Sequence, residues 1–169
     1  MTPRDLIAGM RPGGLVGSPE MDPLTEKDAL QEARLNEVLL DAVNMRAGLL
    51  FDLRGALQLR MAYTGLIVLG GVEIFSWTSE RRSTIRTSWA VVGSVPANEE
   101  GMVNLRLFFS PDADLTVAAR SAAFYAGDVP GLPDRVPDFA WSDAEVAAGI
   151  ASMDSLFEPT QATFIEPLT

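Results

Sequence analysis

Residues 66–77 read LIVLGGVEIFSW, a run that is apolar on both alternating parities and carries a Gly-Gly pair at its centre. A stretch with two apolar faces belongs in the middle of a sheet, and paired glycines inside it mark a bulge or a close backbone approach. It is expected to be a central strand, so its partners must be sought on either side. On the N-terminal side, Glu37 to Val43 puts Val38, Leu40 and Ala42 on one face. Ala47 to Arg54 puts Leu49, Phe51 and Leu53 on one face while Asp52 and Arg54 point away, and Asn44-Met45 predicts the hairpin turn between these two strands. On the C-terminal side, Thr84 to Val95 alternates Ile85, Trp89, Val91 and Val95 with Thr84, Arg86, Ser88 and Ser94. Val103, Leu105, Leu107 and Phe109 alternate with Asn104 and Arg106. A turn at Ser110-Pro111-Asp112-Ala113 leads to a strand over Asp114–Ala119, with Leu115 and Val117 inward, and a last strand is expected over Ala122–Val129.

Seven strand candidates with short connections and no long helix between them predict a mainly β (α+β) fold: an antiparallel sandwich or rolled sheet of about seven strands. Leu49, Phe51, Leu53, Val68, Trp89, Val91, Leu105 and Leu107 are its expected shared core. The ends add a short N-terminal helix and one C-terminal helix. Thr2 is a suitable N-cap, with Pro3 at the first position, Asp5 in the first turn and Gly9 as the stop. Residues 11–23 are too rich in Gly and Pro for regular structure, so residues 1–24 read as an arm and 25–169 as a single globular β-rich domain. Thr25 and Asp28 suggest a further short helix through Ala29, Leu30 and Ala33. After a proline-punctuated loop over 127–137, Ser142 and Glu145 form a capping box, with Trp141 and Val146 in staple positions, and the helix is expected to reach about Asp154. The tail from Leu156 to Leu168 is expected to cover a sheet edge.

The 169 residues include no histidine and no cysteine. A Ser-His-Asp triad, a Cys-His pair, a Cys/His zinc site, His or Cys haem ligation and a disulfide framework are therefore excluded. With 47% hydrophobic and 21% charged residues the composition is that of a globular protein. The longest apolar stretch, Gly65 to Val72, is far short of a bilayer span, no secretory h-region forms, and a cytoplasmic location is expected. Of the net charge of −10, nearly all lies in residues 99–169, which hold 12 acidic against 3 basic side chains. Such a field repels phosphate backbones and anionic lipid and suits a basic protein partner.

Among the remaining chemistries, carboxylates are the abundant groups. Asp112 and Asp114 lack the further oxygen ligands of a calcium loop and fit a turn; neither Gly13-Gly14 nor Gly70-Gly71 has a phosphate-loop pattern, and Lys27, the one lysine, adjoins neither. Arg81, Arg82 and Arg86 near Trp77 and Trp89 are either an anion site or a hairpin tip that pairs with the acidic half. No catalytic residue, metal ligand or cofactor is assigned. Asp41, Asp52 and Glu73 are the strand acids that a carboxylate-dependent enzyme would use.

The runs Leu39–Val43 (LLDAV), Gly48–Arg54 (GLLFDLR) and Leu66–Phe75 (LIVLGGVEIF) resemble those of small β-rich bacterial domains of unknown function, some of them immunity proteins that neutralise polymorphic toxins. The likeness covers roughly residues 35–125 and carries over no functional residue. It implies a non-enzymatic protein-binding domain, such as an inhibitor of a basic toxin. A carboxylate-dependent hydrolase or small-ligand-binding β domain, and a self-assembling subunit whose arm reaches a neighbouring chain, are the alternatives. For partner binding the expected residues are Tyr125, Asp128, Asp134, Asp138, Phe139 and Trp141, aromatic anchors among acidic loops.

Overall fold

The chain is described here from a computed structural model over residues 1–80 and 86–167. Its elements are α1 (Pro3–Ile7), β1 (Arg34–Asp41), β2 (Arg46–Asp52), β3 (Thr64–Ser79), β4 (Trp89–Pro96), β5 (Val103–Ser110), β6 (Ala113–Asp128), α2 (Asp143–Gly149) and β7 (Glu158–Ile165). All strand pairings are antiparallel, in the order β3-β2-β1-β4-β5-β6-β7, and β3 also pairs with β6. That extra pairing closes six strands into a rolled sheet, with β7 branching from the second half of β6. The fold class read from the sequence is the one observed.

The central strand is where residues 66–77 place it. β3 pairs with β2 over Thr64–Gly70 and with β6 over its whole length, and the register shifts between Val72 and Ile74, just after Gly70-Gly71. Its two halves therefore serve two different sectors of the roll. The first half lies between β2 and the end of β6; the second lies beside the start of β6. The expected strands Asp114–Ala119 and Ala122–Val129 are one continuous strand, because Arg120-Ser121 carries no Gly, Pro, Asn or Asp to turn the chain and Ser121 stays paired to Gly70. The count of seven is restored by β7, since the tail covers the edge of β6 by becoming a strand. Arg81, Arg82 and the expected strand residues Thr84 and Ile85 lie outside the described residues, and β4 begins at Trp89.

Two clusters of buried side chains lie on opposite faces of the shared strands. Inside the roll, Leu49, Phe51, Leu53, Ile67, Leu69, Val91, Leu105, Leu107 and Leu115 pack together, with Trp89 partly buried against them. Val68 departs from expectation: it sits opposite Gly48 on the other face, and Ile67 and Leu69 take its place in the interior. On that outer face Leu6 and Ile7 of α1 join Leu50, Leu66, Met153 and Phe157. Thr2 caps α1 as read, and Asp5 bonds back to the Thr2 N–H to complete a capping box. Gly48 makes the docking possible, since a Cβ there would meet Ile7 Cδ1 at 2.1 Å. The arm then runs along the outer edge of β7, where Val16 N–H donates to the Thr160 carbonyl and Gly17 accepts from Ala162 N–H.

One other expectation fails for an identifiable reason. Residues 25–33 form turns instead of a helix, because the Asp28 carboxylate accepts from Ser94 N–H, and Asp28 and Glu32 both adopt positive φ, at 60° and 66°. Leu24, Ala29, Leu30 and Ala33 are nevertheless fully buried, so the apolar spacing reported burial correctly and conformation wrongly. On β1, Val38 and Leu40 face the same side as Leu49 and Ala47, yet Leu40 is 53% exposed. β1 meets β4 only at Arg34–Ala90 and Leu35–Trp89, and beyond that pair the roll is open. Trp77 packs edge-on to Trp89 at 5.2 Å and lies 5.4 Å from Phe109, closing the interior beside the opening.

Phe51 is completely buried at the centre of the interior cluster. Phe51→Ala is expected to cost about 3–5 kcal/mol through lost transfer energy and an unfilled cavity. A urea midpoint unchanged from wild type would contradict the strand parity.

Candidate functional site

The loop over 129–142 carries most of the residues expected to bind a partner, and with three prolines between 130 and 137 it has few N–H groups with which to build structure of its own. Its carbonyls must find donors elsewhere, and Arg54 supplies them. The Arg54 guanidinium is paired with Asp52, their side chains only 2% and 3% exposed. Nε bonds the Asp52 carboxylate at 3.0 Å, while Nη1 donates to the carbonyls of Pro133 at 2.8 Å and Arg135 at 3.1 Å. Nη2 bonds Asp52 and, at 2.6 Å, the carbonyl of Gly149 at the end of α2. Every N–H of the fork thus has an acceptor.

This pair explains why α2 stops at Gly149 instead of reaching Asp154. Gly149 gives its carbonyl to Arg54 and packs against Pro137, Ile150 is extended, and Ala151 and Met153 go into the outer-face cluster. At the N-terminal end Ser142 is the N-cap as read, its hydroxyl accepting from Glu145 N–H, but the Glu145 carboxylate accepts from the Ser142 hydroxyl instead of from its backbone N–H, so the expected capping box is only half formed.

A second set of bonds fixes the flanks of the loop. Tyr63 hydroxyl donates to Asp134 at 2.6 Å, Tyr63 N–H donates to Asp128, and Asp138 accepts from Ala140 N–H. Arg86 donates to the carbonyls of Phe139 and Trp141 and pairs with Asp143, so this one described member of the basic cluster reaches the acidic half. Trp141 is 48% exposed, Phe139 is half-buried, and Asp128, Asp134 and Asp138 are at the surface. Asp128 and Asp134 are thus brought together at Tyr63, and Phe139 and Trp141 at Arg86, with Asp138 between them along the same loop. Tyr125 does not join them: it is 3% exposed, on the outer face of β6, with its ring edge-on to Phe164 at 5.8 Å.

Asp41, Asp52 and Glu73 lie in three separate places, bonded to Asn44, Arg54 and Arg120 respectively. Among the described residues no group of three or more acidic side chains is placed to hold a metal ion, and no helix is long and apolar enough to cross a membrane. The role of Arg54 was missed in the sequence, whereas pairing of Arg86 with the acidic half was one of the two readings given there. The visible signal was Asp52 and Arg54 on one parity, two opposite charges that a covering segment would force to pair. No protein-family model, curated protein or solved structure matches the chain.

Replacing Arg54 with Met leaves Asp52 buried without its counter-charge and three carbonyls without donors. The expected loss is about 3–5 kcal/mol in urea unfolding, and Arg54→Lys is expected to recover only part of it because an ammonium cannot reproduce the planar fork. Equal stability of Arg54→Met and wild type would refute the role given to the pair.

The bond from Tyr63 to the Asp134 carboxylate holds the phenol above its ordinary pKa, and burial does the same to Tyr125. Both tyrosines of the chain are thus expected to ionise above the ordinary 10.0 in a spectrophotometric titration. The folded state then holds more protons than the unfolded one, so this stabilisation is complete below pH 10.0 and lost as pH rises through the shifted values. Urea-unfolded protein is expected to titrate at the ordinary value.

Proposed function

We propose that the chain is a non-enzymatic protein-binding domain that takes a basic partner on the rim between β6 and α2. The observation that carries this reading is an exposed Trp141 on a loop whose backbone is immobilised from beneath by Arg54 and from the side by Arg86. Residues 128–145 hold five carboxylates against one arginine, Arg135. A large aromatic ring on a pre-ordered backbone loses little entropy on binding, and the surrounding charge steers an oppositely charged partner. The resemblance to immunity proteins makes a basic toxin the partner of choice.

The arrangement separates two contributions. Asp128, Asp134 and Asp138 each accept a hydrogen bond, so Asn at these positions preserves an acceptor while removing the charge. With the chain immobilised against cell lysate and the captured protein then studied by surface plasmon resonance, the triple Asp→Asn variant is expected to slow association about ten-fold at low salt. Trp141→Ala is expected to raise the dissociation rate by a similar factor. Capture of no protein, or capture of one indifferent to both variants, would overturn the reading.

A further inference from the structure

Towards the opposite end of the first half of β3 from the rim, the outer face carries a cleft of about 520 Å³ bounded by α1, the start of β2, the middle of β3 and β6, and the end of β7. That is the size range of small-molecule sites. In a chain of net charge −10 its lining is unusual, for it includes Arg11, Arg46 and Arg120 against the single carboxylate of Glu166. Arg11 is neutralised by Glu166 at 2.8 Å and lies over the Phe164 ring, 4.9 Å from its centroid. Arg120 pairs with Glu73 at 2.7 Å. Arg46 makes no direct ion pair among the described residues, although its charge acts on the Asp41 carboxylate opposite it in the β1–β2 ladder; its Nη1 bonds the backbone carbonyls of Ile7 and Ala8. One guanidinium is therefore held in place by backbone carbonyls, with no carboxylate in direct contact.

Beside it lie an aromatic wall and a small-residue floor. Phe164 and Tyr125 stand edge to face, and the Tyr125 hydroxyl bonds to no other described group although the residue is almost fully buried. The Ser121 hydroxyl lies where a Cβ on Gly70 would be, at 2.5 Å, and the stem of Arg120 lies across Gly71, whose φ of +62° excludes most side chains in any case. The two central glycines thus keep the floor low enough for both polar side chains to reach over it. The rim loop uses none of these residues.

We propose that this cleft binds a small aromatic carboxylate, its acid group on Arg46 and Arg120 and its ring against Tyr125 and Phe164. Guanidinium forks match the planar carboxylate, and the ring edge and face complete an apolar wall. The proposal does not depend on the partner-binding role of the rim.

Benzoate is the probe, followed by ¹⁵N NMR shifts of the folded chain, with benzamide and inorganic phosphate as comparisons. Benzoate is expected to move the amides of Gly70, Gly71, Ser121 and Ala122 with a dissociation constant of about 1 mM or tighter, as suits a ligand of this size. Benzamide, which lacks the charge, and phosphate, which lacks the ring, are each expected to bind at least ten-fold more weakly. Arg120→Gln, a change at a largely exposed side chain, is expected to weaken benzoate at least five-fold, and Tyr125→Phe to weaken it less. Arg46→Gln is expected to abolish the shifts; because Arg46 also holds α1, the Arg120 variant decides the matter if that protein fails to fold. No benzoate shift at these amides, equal binding of benzamide, tighter binding of phosphate, or an Arg120→Gln affinity equal to wild type would each overturn the proposal.

Discussion

The ladder between β3 and β6, each 16 residues long, is the constraint on which the architecture depends. A strand pair of that length cannot stay flat, and the register shift after Gly70-Gly71 lets it bend where its outer neighbours change. Before the bend the pair is flanked by β2 and β7; after it, β6 is flanked by β5. One hydrogen-bonded ribbon therefore belongs to two sectors of the roll, and the β1–β4 seam needs only two residue pairs to complete the ring. Little is asked of that seam because the tryptophan pair beside it already fills the space between the sectors.

At one end of this ribbon the chain accepts a buried ion pair, usually a neutral or unfavourable trade against apolar packing. The reason lies in the loop above it. A segment punctuated by prolines exposes carbonyls that no ladder can satisfy, and leucine or methionine in place of Arg54 would leave three of them dry. Desolvating Arg54 and Asp52 is offset by mutual attraction and by the carbonyls that the guanidinium also serves. Stability and loop order are thereby linked through a single side chain.

Strand positions were legible where alternation met a one-sided environment, as at Leu105 and Leu107; Leu49, Phe51 and Leu53 read correctly although β2 is buried on both faces, because Asp52 and Arg54 mark its other parity. Val68 was misread since β3 is covered on both faces, which leaves parity without information. The turns at residues 25–33 were misread because capping residues look the same whether they start a helix or reach across to another strand, as Asp28 does to Ser94. The joining of the two halves of β6 was hidden by Ala-Ala-Arg-Ser-Ala-Ala, a stretch with neither turn nor strand signature. Of the rim, the Ser142 N-cap and the exposed aromatic were readable from local spacing. The carbonyls that Arg54 and Arg86 serve were not, since those bonds span about 50 to 95 residues of chain.

Along β7 the arm supplies only two backbone bonds, at Val16 and Gly17, yet they fall on the outer edge of the last strand. A bare edge offers a row of unpaired donors and acceptors to any extended chain that meets it. The glycine- and proline-rich segment there acts as a sacrificial cover: irregular enough to terminate the sheet, close enough to deny the edge to another strand. Its lack of regular structure is therefore functional in its own right, because a well-formed strand in that place would only move the exposed edge one position outward.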